Sequence, residues 1–285
     1  MPDKPILNHS FGPTGRKVTI VGLGGEGILR THGQEREAQK VIETALEGGI
    51  TYFDSARAYA GSETYYGLVW PEHPTERTAI FQTSKSAMRT KKEALQELDL
   101  TLHNMGIDYL DLWQIHDVRT EEDFQTIAGP GGALEAFVEA KKKGKTRFIG
   151  VTGHHDPEII TRAVKDWPID SVLMPVNPVE KVLGGFLNAT LPAALDKGIA
   201  VIGMKVLGAS HYVDPQSGLT AELLIRFALS QPITLAIVGC SSPQEVKTLT
   251  EVGAHFEPLS PSEEQKLLRL FRPYAHRLAY YRGVF

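Results

Sequence analysis

Residues 35–54 read EREAQKVIETALEGGITYFD. Apolar side chains recur at helical spacing through Leu46, two glycines follow, and a short β-favouring run ends on Asp54. Residues 198–206, GIAVIGMKV, repeat the glycine-to-strand joint. With the run at about 51–54, strand-like segments lie at about 79–85, 109–116, 147–152, 171–177, 200–206 and 235–240, and KVTIVGLG at 17–24 is an eighth. Helix-like stretches such as KKEALQELDLTLHNMG and GALEAFVEAKKKG separate them, each closed by a glycine. Parallel strands need crossover helices. Eight βα units in 285 residues predict an α/β chain folded as a (β/α)8 TIM barrel. An open doubly wound sheet is the alternative. Ahead of the barrel, PILNHSF and KVTIVGLG flank Gly12-Pro13-Thr14-Gly15, which predicts an N-terminal β-hairpin within 6–24. No Pro/Ser-rich linker or charge shift marks a boundary, so residues 1–285 read as a single domain. The longest connections, 117–131 and 207–219, both follow strands, which places them on the barrel face where function concentrates.

Composition excludes several classes. Apolar residues make up 42% and charged residues 22%, as in an ordinary globular chain. Thirty Lys and Arg against 34 Asp and Glu leave a net charge of −4, with no basic excess to suggest nucleic acid or a membrane surface. Lys141, Lys142, Lys143 and Lys145 end an amphipathic segment and read as a solvated helix C-terminus. The one cysteine, Cys240, rules out an internal disulfide. With no signal-peptide core and no apolar run near bilayer length, a soluble cytoplasmic protein is expected.

Gly22-Leu23-Gly24-Gly25-Glu26-Gly27 matches the GxGxxG pattern of dinucleotide-binding turns. That reading requires a helix to open inside the motif, whereas helical periodicity begins only near Glu35. The glycines are therefore expected to form a tight loop at the barrel mouth, where backbone approaches a ligand.

Three successive strand-like segments end on chemically distinctive residues: Asp54 after ITYF, Lys85 after AIFQTS and His116 after YLDLWQI. Tyr59 follows Asp54 by five residues. Each has a plain structural explanation alone, but together they bring a carboxylate, an amine, an imidazole and a phenol to one end of a parallel sheet. Reducing a carbonyl by hydride requires a proton for its oxygen. A free phenol, with a pKa near ~10, is a poor donor at neutral pH, and a neighbouring ammonium lowers that value. Tyr59 is thus the expected acid, Lys85 its electrostatic partner, Asp54 the anchor of Lys85, and His116 the group that orients the carbonyl.

At these residues the chain resembles the aldo-keto reductases. The Asp-x4-Tyr signature appears in DSARAYAGSE, the lysine in FQTSK and the histidine in DLWQIHDV. SFGPTGRKVTIVGLGG, GVTGHH, PVNP, GMKVLG and IVGCSSPQEV fall in family order, so the resemblance runs from about residue 10 to 250. It implies a barrel that binds a nicotinamide cofactor in extended form and passes hydride to an aldehyde or ketone. It also implies cofactor contacts at Gly24, Gly25, Thr152, Gly153, Met204, Lys205, Val206, Leu207, Gly239, Cys240, Ser241, Ser242 and Glu245. Substrate contacts would come from Glu26, Tyr280 and Tyr281, with Phe285 also in the aromatic tail.

The cofactor pocket departs from the family pattern. Gly153 stands where the pattern has asparagine, Leu173 where it has glutamine, and Met204 where it has a stacking aromatic. Thioethers pack on rings. Ser242-Pro243-Gln244-Glu245 predicts a capping box whose free amides favour an anion. Gly239 and Glu245 replace the Lys and Arg that often meet a 2′-phosphate, so NADP(H) is the family default and NAD(H) stays open.

His154 and His155 point oppositely in an extended strand end, and no metal site is expected. The predicted partner is a small carbonyl compound, with no nucleic acid, no membrane, and an oligomeric state the sequence leaves undetermined. Two other readings stay open: a Schiff-base lyase using Lys205 at its strand end, and a non-catalytic nicotinamide-binding regulatory subunit.

Overall fold

The computed structural model describes residues 2–283. A two-stranded antiparallel hairpin, β1 (Asn8–Ser10) and β2 (Lys17–Thr19), precedes eight parallel strands. These are β3 (Val21–Gly27), β4 (Tyr52–Phe53), β5 (Phe81–Ser86), β6 (Leu110–Ile115), β7 (Thr146–Thr152), β8 (Ser171–Pro175), β9 (Ala200–Met204) and β10 (Leu235–Cys240). They close in chain order, β10 pairing with β3. The KVTIVGLG run that reads as one hairpin arm is divided at Ile20: Lys17–Thr19 turns back on β1, and Val21 begins the barrel.

Inward and outward residues alternate as strand geometry demands. Tyr52, Phe81, Leu112, Leu173, Ile202 and Leu235 share one buried cluster with Phe11 and Val18 of the hairpin, which plugs the N-terminal end. Phe53, Trp113, Ile149, Val172, Val201 and Ala236, of opposite parity, pack on the surrounding helices. Continuing the inward parity past the apolar layers brings Asp54, Lys85 and His116 to the C-terminal rim.

The crossover helices follow the sequence periodicity. Glu35–Glu47 buries Ala38, Val41, Ile42 and Ala45, an i, i+3, i+4, i+7 stripe. Lys91–Met105 is capped by Thr90 and stopped by left-handed Gly106. The connection 117–131 is not irregular: it contains the helix Glu121–Ala128, opened by a Thr120–Asp123 capping box. Three lysines of the basic run at 141–145 pair with neighbours, Lys141 with Asp170, Lys143 with Glu139 and Lys145 with Asp99. Among the described residues no helix is long and apolar enough to cross a membrane, and no group of His, Cys, Asp and Glu side chains is placed to hold a metal.

Candidate active site

Asp54 follows β4 directly, its backbone N–H held by the Leu23 carbonyl at 2.8 Å. Lys85, on β5, is fully buried and grips both Asp54 carboxylate oxygens at 2.8 and 2.7 Å. Its third donor goes to the Ser55 carbonyl at 2.7 Å. Asp54 also accepts from Thr83 Oγ1 at 3.0 Å and from the Gly25 N–H at 3.4 Å. All three protons of the ammonium are committed, so Lys85 acts on its neighbours through its field. Burial draws its amine below the ordinary value, against the pull of Asp54.

Tyr59 sits in the loop that returns from Asp54 to the helix Ser62–Val69, fixed by bonds from its N–H to the Ala56 carbonyl and from Ser62 N to its own carbonyl. The Lys85 Nζ lies 4.7 Å from the centre of its ring, and the His116 ring meets it edge-on at 5.5 Å. The four expected residues therefore come together. The expected acidification of Tyr59 does not. Burial pushes the phenol well above its ordinary value, and the Asp54, Glu26 and Asp117 carboxylates push it further. The cation that opposes them is Arg30, whose guanidinium lies 5.2 Å from the ring centre. Tyr59 therefore holds its proton more firmly than a free phenol does. His116 is pushed down to about 3, by burial first and then by Lys85, so its imidazole is neutral at physiological pH.

The glycine pattern of β3 proves to be strand, not loop, and its glycines answer to neighbouring protein. A Cβ at Gly24 would lie 2.8 Å from Gly239 N on β10; at Gly25, 2.5 Å from the Tyr59 ring; at Gly27, 2.5 Å from the Cys240 carbonyl oxygen. They let β10 close the barrel and let Tyr59 lie against β3. Gly153 has a similar cause: a Cβ there would run into Ile160, leaving no room for asparagine. Leu173 belongs to the inner apolar cluster, with Met204 packed against it half-buried. Thr152 Oγ1 accepts from Asp117 N at 2.9 Å, which leaves its own proton for another acceptor. Val206 is buried and Leu207 half-buried behind that rim. Burial pushes the Cys240 thiol up to about 12.

The helix Pro243–Ala254 opens at N-cap Ser242, which accepts from Glu245 N at 3.3 Å. The return bond differs from the expected box: Glu245 takes the Ser241 N–H at 2.7 Å, one residue further back. Glu26, near the end of β3, pairs with Arg30 four residues on at 2.7 Å. Tyr280 is 49% exposed, stacks edge-on with His211 and feels the Glu26 charge, so it stands over the mouth. Tyr281 is buried, its hydroxyl donating to Glu180 at 2.8 Å and accepting from Asn177 at 3.0 Å. Phe285 lies outside the described residues.

Sequence reading gave Arg30 and Asp117 no role at the site, and it weighed His154 only as a metal ligand. His154 faces Asp117 Oδ1 at 3.3 Å and the Tyr281 carbonyl at 3.1 Å. His155 lies beside Gly283 of the tail. The four-residue step from Glu26 to Arg30 was the one signal available for the arginine.

Comparison with known proteins agrees with this geometry. The model of the Aldo/keto reductase family matches residues 20–218. L-galactose dehydrogenase of Arabidopsis thaliana is 30% identical over 304 aligned positions, covering 90% of this chain and 91% of its own. Aldo-keto reductase str7 of Strobilurus tenacellus is 26% identical over 71% of this chain, which spans 59% of that relative's length. Among solved structures, an aldo-keto reductase from Klebsiella pneumoniae in complex with NADPH superposes with a TM-score of 0.75 at 21% identity, over 94% of this chain and 95% of its own.

Proposed function

The chain belongs to the aldo/keto reductase family, and on that premise we propose that it is an NAD(P)(H)-dependent oxidoreductase acting on an aldehyde or ketone, or on the corresponding alcohol in reverse. The observation that carries this reading is Tyr59 held against a buried Lys85–Asp54 pair and a neutral His116 at one barrel rim. The nicotinamide cofactor supplies the hydride. Tyr59 gives its proton to the carbonyl oxygen. Lys85, locked by Asp54 and Ser55, presents a fixed positive charge that stabilises the phenolate left behind. Neutral His116 directs an N–H at the substrate oxygen.

The rim suits a nicotinamide amide through the free Thr152 proton and the half-buried Met204 thioether, with fewer polar anchors than the family pattern has. NADP(H) is the cofactor of this reading, in line with the Klebsiella relative. Glu245 is committed to Ser241 N and lends no positive charge to a 2′-phosphate. The dehydrogenase from Arabidopsis, named for a sugar, makes a hydroxylated carbonyl compound a reasonable substrate class. We place the protein in the cytoplasm as a single domain. Titrating protein fluorescence with NADPH and with NADH, then following NADPH oxidation with 4-nitrobenzaldehyde, tests the proposal. Saturable binding with turnover is expected; binding without turnover would favour a regulatory subunit, and the absence of both binding and turnover would defeat the reading.

A further inference from the structure

Asp117 follows His116 at φ +55°, a conformation uncommon outside glycine. The turn is fixed from both sides. Thr152 Oγ1 accepts from the Asp117 N–H at 2.9 Å, and Arg89 donates to the Asp117 carbonyl at 2.8 Å. Over-determined backbone of this kind gathers at functional sites. One carboxylate oxygen, Oδ2, takes the Arg119 guanidinium at 2.7 and 2.6 Å. The other, Oδ1, is closed to water and has no hydrogen-bond partner among the described residues. Its neighbour is His154 Nε2 at 3.3 Å, in an approach that is not aligned as a hydrogen bond.

The state of Nε2 follows from the other ring nitrogen. Nδ1 lies 3.1 Å from the Tyr281 carbonyl, which can only accept, so Nδ1 carries the proton. Burial draws the imidazole below its ordinary value against the pull of Asp117, so the ring is chiefly neutral at physiological pH. Nε2 then presents a bare lone pair beside a second acceptor, and unmet acceptors in a partly desolvated place are costly. The pair adjoins the reacting groups, since His116 lies within electrostatic reach of both Asp117 and His154. The His154 side chain stays 21% exposed. Tyr59, His116 and Thr152 offer protons at this rim, whereas His154 Nε2 asks for one. A ligand hydroxyl that donates to Nε2 relieves the opposition. A carboxylate would add a third acceptor. Arg119 already matches the Asp117 charge, so the position suits a neutral donor rather than a cation.

We propose that His154, backed by Asp117, is a specificity-determining residue that accepts a hydrogen bond from a hydroxyl group next to the carbonyl of the substrate. This deepens the oxidoreductase reading and rests on it: the substrate class becomes neutral hydroxy-aldehydes and hydroxy-ketones.

Lactaldehyde and propanal differ by that one hydroxyl. Wild type is expected to prefer lactaldehyde in kcat/KM. His154→Phe keeps a ring and removes the acceptor, and should lower the preference by about five- to ten-fold. His154→Gln returns an acceptor oxygen and should recover part of it. Asp117→Asn suits the left-handed backbone and, with its oxygen held by Arg119, turns an amide N–H toward Nε2, so it should lower the preference as well. A preference absent from wild type, or unchanged in His154→Phe, overturns the inference, while turnover of propanal leaves the oxidoreductase reading standing. Nitrogen NMR of histidine-labelled protein decides the matter even where no aldehyde turns over. At mildly alkaline pH the His154 Nε2 signal, assigned by its loss in His154→Phe or His154→Gln, should be that of an unprotonated nitrogen. It should move when 1,2-propanediol, but not 1-propanol, is added beside NADPH. A protonated Nε2, or the same response to both alcohols, overturns the inference.

Discussion

Tyr59 is held in its protonated form by burial and by three carboxylates, while the nearest ammonium has no proton left to share with it. Replacing Tyr59 by Phe should lower turnover by about 10²–10⁴-fold and leave NADPH affinity within a factor of about two, since general-acid assistance is of that size. Steady-state rates alongside fluorescence titration check this. Because the phenol is pushed above its ordinary value and His116 is already neutral at neutral pH, neither group titrates between about pH 5 and 9. The kcat for reduction should be flat across that window and fall only in stronger alkali. His116 also leaves a mark on stability. Its folded value of about 3 lies below the unfolded 6.5, so between the two the unfolded chain binds the extra proton. Its contribution is complete above 6.5 and is lost as pH falls toward 3, on the order of a few kcal/mol. Urea denaturation of His116→Gln should show a shallower acid decline than wild type; parallel declines would remove this role.

Strand-end chemistry was legible because inward parity is fixed once a strand is recognised: Phe81, Thr83 and Lys85 face one way, as do Leu112, Gln114 and His116. What individual glycines touch was not legible, because Gly24 and Gly25 answer to residues far along the chain, Gly239 on β10 and the Tyr59 loop. Gly25→Ala should therefore displace the Tyr59 ring and cut turnover by at least about ten-fold with the acid itself intact. An alanine variant of wild-type activity would show that the ring does not need this contact. On the outer face of β6, buried Asp111 accepts from Arg77 at 3.0 Å, from Gln82 N at 3.1 Å and from Arg147 at 2.8 Å, tying neighbouring elements together. Asp111→Ala strands Arg77 and should cost about 3–5 kcal/mol in chemical denaturation.

Across the whole molecule, the barrel closes at both ends by segments outside the βα alternation. The hairpin seals the bottom with Phe11. At the top the tail crosses the mouth, where Arg282 pairs with fully buried Glu180 and bonds the Gly184 carbonyl, and Tyr281 shares the same carboxylate. The aromatic tail suggested a pocket wall, but Tyr281 serves as a tie, and nothing in its local sequence points to Glu180 a hundred residues away. Arg282→Ala leaves that carboxylate buried without its cation and should lower stability by about 3–5 kcal/mol. Circular-dichroism melts of the variant beside Tyr281→Phe apportion the tie.

The reductase chemistry itself is tested most directly by single-turnover transfer from NADPH deuterated at the reactive nicotinamide carbon to 4-nitrobenzaldehyde, read by mass spectrometry. Deuterium should reach the alcohol carbon in wild type, at least about 10²-fold more slowly in Tyr59→Phe. Alcohol formed without the label, or formed equally fast by both proteins, would contradict proton donation by Tyr59 beside a bound hydride source.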